Sequence, residues 1–324
     1  VRAELSHRER VLRAIGHQEV DRIPCFFAAE EDVEARLRQE FGLAELVDII
    51  RFFGGDTVQV TLNVALPDLS GVEAPEDLEL HPWPGPETVD LAGYMGRLRA
   101  ARETGLAVLG GVWATIFTGP RRAMGEPEFL MAMLDRPGLI ARIVEKAADC
   151  YLGINQAIFS TCADSLDVFY FGSDFGTQRA LFISREAFLR FFRPHLTRLA
   201  RHAKGYGLKV MFHTCGAVSE IIPDLVACGI DVLDPVQVSA SSMEPARLAR
   251  EYLGKLAFHG GISTQTLLPR ATPAQVRAAV RETILALAPS GYICGPDQWM
   301  MADVPTENMM AMYEAIRTYG RQPG

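Results

Sequence analysis

Eight short apolar runs recur along the chain, each followed by a stretch with helical spacing, and this alternation restricts the architecture more than any other feature. The runs cover residues 25–28, 57–62, 106–112, 166–171, 208–213, 230–233, 256–261 and 291–294. Strands that alternate with helices pair in parallel, and eight such repeats predict an α/β fold of the (β/α)8 TIM-barrel type. A doubly wound open sheet is the alternative that the same alternation permits. The stretch 67–86, dense in Pro, Gly and acidic residues, reads as a loop excursion. No low-complexity segment interrupts the repeats, so residues 1–324 are expected to form a single domain, with residues 1–20 as an N-terminal helical extension.

The helix signals agree with this count. Ser6 and Glu9 have capping-box spacing ahead of Val11, Leu12 and Ile15. Helices are predicted over 30–41, stopped by Gly42, and over 44–53 and 87–104. Residues 114–163 read as helix broken at Pro120, Pro127 and Pro137, and Ser184 caps a helix that Pro194 should kink. Further helices are expected over 218–228, from Glu244-Pro245, from Thr272-Pro273 and over 305–319.

Composition narrows the partners. A net charge of -8 gives no electrostatic footprint for nucleic acid and argues against an anionic membrane. No run approaches 18 apolar residues, and the first ten are too charged for a signal peptide, so the expected location is the cytoplasm. Six cysteines scattered through so long a chain suit reduced thiols better than a disulfide framework. A homodimer is the base-rate expectation for assembly.

In such barrels chemistry gathers at the carboxyl ends of the strands. The fifth run ends in His213-Thr214-Cys215-Gly216, where residues two apart share a face of an extended backbone and Gly216 lets the chain turn. His213 and Cys215 can therefore reach one metal ion, and Cys294, at the end of the eighth run, can join them if the barrel closes. One nitrogen and two thiolates match a zinc site with an open fourth position. Such a centre favours thiol activation and alkyl transfer to sulfur over water activation. The ordinary alternatives are a hydrogen-bonded core histidine and buried apolar cysteines. Asp234 or Gln237, after the sixth run, could supply a transient fourth ligand. Asp174 and Gln178, in the glycine-flanked loop after the fourth run, and His259 in the seventh are candidates to orient or hydrogen-bond a substrate, against plain loop or core roles.

At these residues the chain resembles the uroporphyrinogen decarboxylase superfamily. The likeness runs from Arg8-Glu9-Arg10-Val11-Leu12 and Asp21-Arg22-Ile23-Pro24 through Gly54-Gly55-Asp56, Ser173-Asp174-Phe175-Gly176-Thr177-Gln178 and Phe258-His259-Gly260-Gly261-Ile262 to Asp303-Val304-Pro305-Thr306-Glu307-Asn308. His213-x-Cys215 with the late Cys294 is similar to the zinc motif of its corrinoid-dependent methyltransferase branch, typified by methylcobamide:coenzyme M methyltransferase. The resemblance implies a bound zinc and methyl transfer between a corrinoid (methylcobalamin-type) cofactor and a small-molecule thiol acceptor or methylated donor. No corrinoid-binding domain is visible in the 324 residues, so a corrinoid protein would act in trans.

The decarboxylase branch fits less well. Its arginine-bearing segment is replaced here by Phe27-Ala28-Ala29-Glu30-Glu31, and its late Gly-His-Gly by Cys294-Gly295-Pro296-Asp297. Acidic side chains would repel a polycarboxylate. Asp56 stands where that branch keeps a pyrrole-binding aspartate, and its ordinary reading is a turn residue before a strand. Decarboxylation of a tetrapyrrole, or a non-catalytic corrinoid-binding scaffold with structural zinc, are the competing functions.

Overall fold

Seven parallel strands in chain order make one curved sheet: β1 (Thr57–Leu62), β2 (Ala107–Val112), β3 (Val168–Gly172), β4 (Lys209–His213), β5 (Val232–Val236), β6 (Ala257–Ile262) and β7 (Tyr292–Pro296). These come from a computed structural model, which describes residues 4–321. Side chains alternate between two layers, as the period of two demands. Ala107, Leu109, Val168, Tyr170, Met211, Val232, Ala257 and Ile293 fill the inner layer, and the outer faces pack beneath the helices. Helix α1 (His7–Ile15), capped by Ser6, places Val11 and Ile15 in the inner layer. The helix expected within residues 1–20 thus forms part of the core; residues 1–3 lie outside the described residues.

The first expected strand is a correction. Residues 25–28 form no ladder, only isolated parallel bridges from Cys25 to Cys294 and from Ala29 to Met300. Phe26 N donates to Cys294 O at 3.2 Å, Cys294 N to Pro24 O at 2.9 Å, and Asp56 N to Cys25 O at 2.7 Å. Strand β7 and the residue just before β1 thus both touch this segment. Proline at 24 removes one donor, and the Asp56 carboxylate takes the Cys25 N–H at 2.9 Å, so regular pairing does not propagate.

Helices α2 (Glu31–Phe41), α3 (Leu46–Phe53) and α4 (Leu91–Glu103) pack outside β1 and its neighbours, and Gly42 takes the left-handed conformation at the end of α2. The stretch 114–163 divides near Pro127 and Pro137 into α5 (Thr118–Met124), α6 (Glu126–Asp135) and α7 (Pro137–Cys162), whereas Pro120, in the first turn of α5, breaks no helix. The Pro194 kink is a full break between α8 (Arg185–Phe191) and α9 (Arg193–Gly205). Helices α10 (Ile222–Cys228), α11 (Pro245–Tyr252), α12 (Pro273–Leu287) and α13 (Thr306–Tyr319) complete the outer layer. Among the described residues no helix is long and apolar enough to cross a membrane.

Candidate metal centre and inner cavity

Strand β4 carries Met211 and His213 on its inner side, and the chain then turns at Gly216. That glycine has φ +87°, and a Cβ there would meet Thr177 O at 2.5 Å and Gly176 O at 2.7 Å. No other residue fits without moving the neighbouring loop. The turn is held by Thr214 N donating to Asp234 O at 2.7 Å and Gly216 N donating to Gln237 Oε1 at 2.7 Å. Gln237 is thereby buried in a bracing role, its oxygen already engaged.

Cys215 Sγ lies 3.1 Å from His213 Nε2. From the loop after β3, Asp174 Oδ1 accepts from Cys215 N at 3.2 Å and stands 3.6 Å from His213 Nε2. Thr118 Oγ1 fixes the loop by accepting from Asp174 N at 3.1 Å. One oxygen, one nitrogen and one sulfur, all within 4.8 Å of one another, make a candidate metal-ligating group among the described residues. Tetrahedral zinc with bonds of roughly 2.0–2.3 Å holds its donors about 3.3–3.8 Å apart; the Asp174–His213 separation of 3.6 Å lies in that range, and the His213–Cys215 separation of 3.1 Å would open slightly around an ion.

The other nitrogen of His213 is occupied as metal-bound histidines require: Nδ1 bonds Asp234 Oδ2 at 2.6 Å. Asp234 also accepts from Tyr170 OH at 2.6 Å and bonds His259 Nδ1 at 2.5 Å. It is a buried hub that orients both imidazoles. Burial alone would raise the Asp234 carboxyl, but the charges and hydrogen bonds of His259 and His213 outweigh it and hold the group well below the carboxylate range. Burial likewise works to lower His213, and hydrogen bonds to Asp234 and Cys215 overcome it, leaving the imidazole well above its ordinary value. The Tyr170 hydroxyl is pushed well above its ordinary value, first by burial and then by the Asp234 charge.

Cys294 is a second correction. Ile293 faces inward, so its neighbour faces outward, and Cys294 is fully buried in the outer layer with Tyr292 OH donating to its sulfur at 3.2 Å. Burial pushes this thiol up to about 12. The structure does not bring it to His213 and Cys215. From the same strand end Gln298 reaches the site instead, its Nε2 donating to Cys215 Sγ at 2.9 Å.

Asp56 is the third correction. It lies just before β1, at the amino end of the strands, completely buried among cations. Arg10 Nη1 donates at 2.7 Å, Arg22 Nη1 and Nη2 at 2.7 and 2.8 Å, and His7 Nδ1 lies 2.8 Å away. Burial opposes ionisation, but His7 and Arg22 outweigh it and depress the carboxyl. Its place is a structural ion-pair cluster, remote by topology from the carboxyl strand ends. Gln178 is exposed, with its amide nitrogen 3.3 Å from Gln265 Oε1.

His259 stacks on Phe26 at a centroid distance of 3.6 Å, and its Nε2 is buried without a partner. It lines a cavity of about 390 Å³ together with Phe26, Tyr170, His213, Asp234 and Asp297. Asp297 accepts from Thr264 N at 2.8 Å through Oδ1, while Oδ2 is buried without a partner. Burial pushes its carboxyl up to about 6. Gln298 and Trp299 separate this cavity from a wider basin of about 980 Å³ that also touches Trp113, Arg122 and Met301. Tyr170, Gln298 and Asp297 are absent from the sequence-derived candidates. Strand parity counted from Ile293 would have pointed to Asp297, whereas Tyr170 reaches His213 through the register that pairs it with Met211.

Three comparisons bear on this arrangement. A methyltransferase from Methanosarcina mazei superposes with a TM-score of 0.72 at 16% identity, over 98% of this chain and 99% of that one. A beta-mannanase from the blue mussel Mytilus edulis superposes with a TM-score of 0.50 at 11% identity, over 93% and 92% of the two chains. At such identities these likenesses describe the fold alone. No match was found among the curated proteins. The family described as Uroporphyrinogen decarboxylase (URO-D) matches residues 65–319, well over half of the sequence. The chain belongs to the uroporphyrinogen decarboxylase family.

Proposed function

We propose that the protein is a zinc-dependent methyltransferase that moves a methyl group between a corrinoid on a partner protein and a small-molecule thiol acceptor or methylated donor. The observation that carries the reading is the convergence of Asp174, His213 and Cys215 at the strand ends, with the second nitrogen of His213 braced by Asp234. Bound there, zinc would supply a Lewis acid that holds a thiol or heteroatom in its anionic form. Cys215 and Asp174 bring two negative charges to offset the metal, which leaves a mild centre suited to a nucleophilic substrate sulfur.

The chain's own residues do the positioning. With Nδ1 held by Asp234, His213 directs Nε2 towards Cys215 and Asp174, where a bound metal would take the place of its proton. Tyr170 keeps Asp234 in place from the side opposite His259 in the hydrogen-bond chain. Gln298 restrains the Cys215 sulfur, and Trp113, 5.5 Å from the His213 ring, limits water at the site. The wide basin outside Gln298 and Trp299 is the proposed face for the corrinoid protein, supported by the exposure of Trp299 and Met301. Likeness in fold to a protein described as a methyltransferase agrees with this reading. It also takes residues 24–29 as the eighth stave of a (β/α)8 barrel, since β7 on one side and Asp56, just before β1, on the other bond to them. The cysteines among the described residues are all free, which suits a reducing compartment and a cytoplasmic location.

Tetrapyrrole decarboxylation has weaker support, because Asp56 is consumed by ion pairs and Arg97 is the single arginine lining the inner cavity among the described residues. Zinc-loaded protein should transfer methyl groups from methylcobalamin to a thiol such as thiophenol, with activity lost on chelation. Turnover of uroporphyrinogen by metal-free protein would reverse the assignment.

A further inference from the structure

The inner cavity does not stay inside the sheet. Its lining includes Phe26 and Leu109 of the inner layer and Phe27, Ile50 and Val60 of the outer layer. Side chains alternate between the two faces of a strand, so one space that touches both layers has to pass between two strands. Ladders close every junction from β1 to β7, and β7 with the loop after it bonds to residues 24–30. That leaves one junction. Among the described residues, no backbone hydrogen bond joins residues 26–29 to β1, and the last tie is Asp56 N to Cys25 O. Burial changes at the same place: Gln59 is exposed and Val60 to Leu62 are part-exposed, whereas every residue of β2 is buried. Beyond the gap the cavity continues against Leu46 and Ile50 of α3 and ends near Glu34 and the exposed Arg97.

The geometry points to this seam as a side entrance and binding slot for an uncharged, largely apolar small molecule, whose reactive end reaches His213 while its body lies against Phe27, Ile50 and Val60. The identity of the reaction rests on the methyl-transfer reading; the slot does not. Aromatic and aliphatic walls favour an apolar body, and the buried carboxyls of Asp234 and Asp297 disfavour an anionic one. His259 Nε2 and Asp297 Oδ2, buried without partners beside this space, each offer a hydrogen bond to a polar group on the ligand. Substrate and partner would then approach His213 from different sides. A protein seated over the outer basin would leave the seam open.

A suitable probe is 4-iodoanisole, an uncharged aryl ether whose iodine can be located by anomalous scattering. In crystals of the zinc-loaded full chain, the iodine is expected between Phe27 and Val60. In solution, Thr61→Trp, which fills the inner side of the seam, should weaken probe binding at least tenfold with zinc content unchanged. Gln59→Trp, at an exposed position, serves if Thr61→Trp fails to fold. Met301→Trp, which narrows the outer basin, should leave affinity unaltered. No binding by the wild type, or weakening by Met301→Trp without weakening by the seam variants, would overturn the slot. Zinc content measured on the same samples separates this result from a failure of the metal assignment, which would leave the iodine position readable.

Discussion

Asp234 stands outside the candidate donor set, yet it sets the state of the residues around it. One oxygen takes His213 and Tyr170 and the other takes His259, so its removal frees both imidazoles to turn. Loss of such a bracing carboxylate typically costs roughly 10–100-fold in metal affinity. Asp234→Ala should show that loss in a chelator competition, and unchanged affinity would mean that His213 is oriented by other means. Cys294→Ser should retain zinc while losing stability, on the order of 1–3 kcal/mol by chemical denaturation, because a hydroxyl replaces an apolar thiol in a dry layer. At this scale the sequence was partly readable. His-x-Cys follows from the period of two, whereas the same period, counted from Ile293, excludes Cys294. Asp174 was visible as a loop residue, but nothing local tells that its carboxylate folds over Cys215, because that contact joins two separate strand ends.

Among elements, the segment before α2 and the edge strand β1 are fastened chiefly at their amino ends, and Asp56 is the fastening. It joins Arg10 of α1, Arg22 and the backbone of Cys25. Asp56→Asn should destabilise the fold by about 3–5 kcal/mol, since it leaves buried arginine charge without its partner. Zinc content per folded molecule should not change; a loss of zinc with intact folding would contradict the separation of the two sites. Seven strands were legible because unbroken apolar runs are what buried parallel strands require. The first run, 25–28, departs from the regular strand that its composition predicts, since a side chain, Asp56, takes the backbone donor that a ladder would have used. Helix breaks at Pro127, Pro137 and Pro194 were legible for the opposite reason: proline acts within its own turn.

For the whole molecule, the same cluster sets the response to acid. Burial tends to raise the Asp21 carboxyl, but its hydrogen bonds with Arg10 and with Leu5 N prevail and bring it down to about 2. A group depressed in the folded state contributes stability that is full above its unfolded value near 4 and is lost as pH falls towards 2. That contribution is on the order of 2 kcal/mol. Denaturation midpoints should therefore drop between pH 4 and pH 2, and Asp21→Asn should flatten the drop. A slope unchanged in Asp21→Asn would assign acid sensitivity elsewhere. The measurement that bears most directly on the function is zinc stoichiometry by elemental analysis of reduced, purified protein, in the wild type and in Cys215→Ser, Asp174→Ala and Cys294→Ser. The expected result is about one zinc per chain, abolished in Cys215→Ser, weakened in Asp174→Ala and retained in Cys294→Ser. Zinc that survives Cys215→Ser, or that is lost in Cys294→Ser while Asp174→Ala keeps it, would contradict the site.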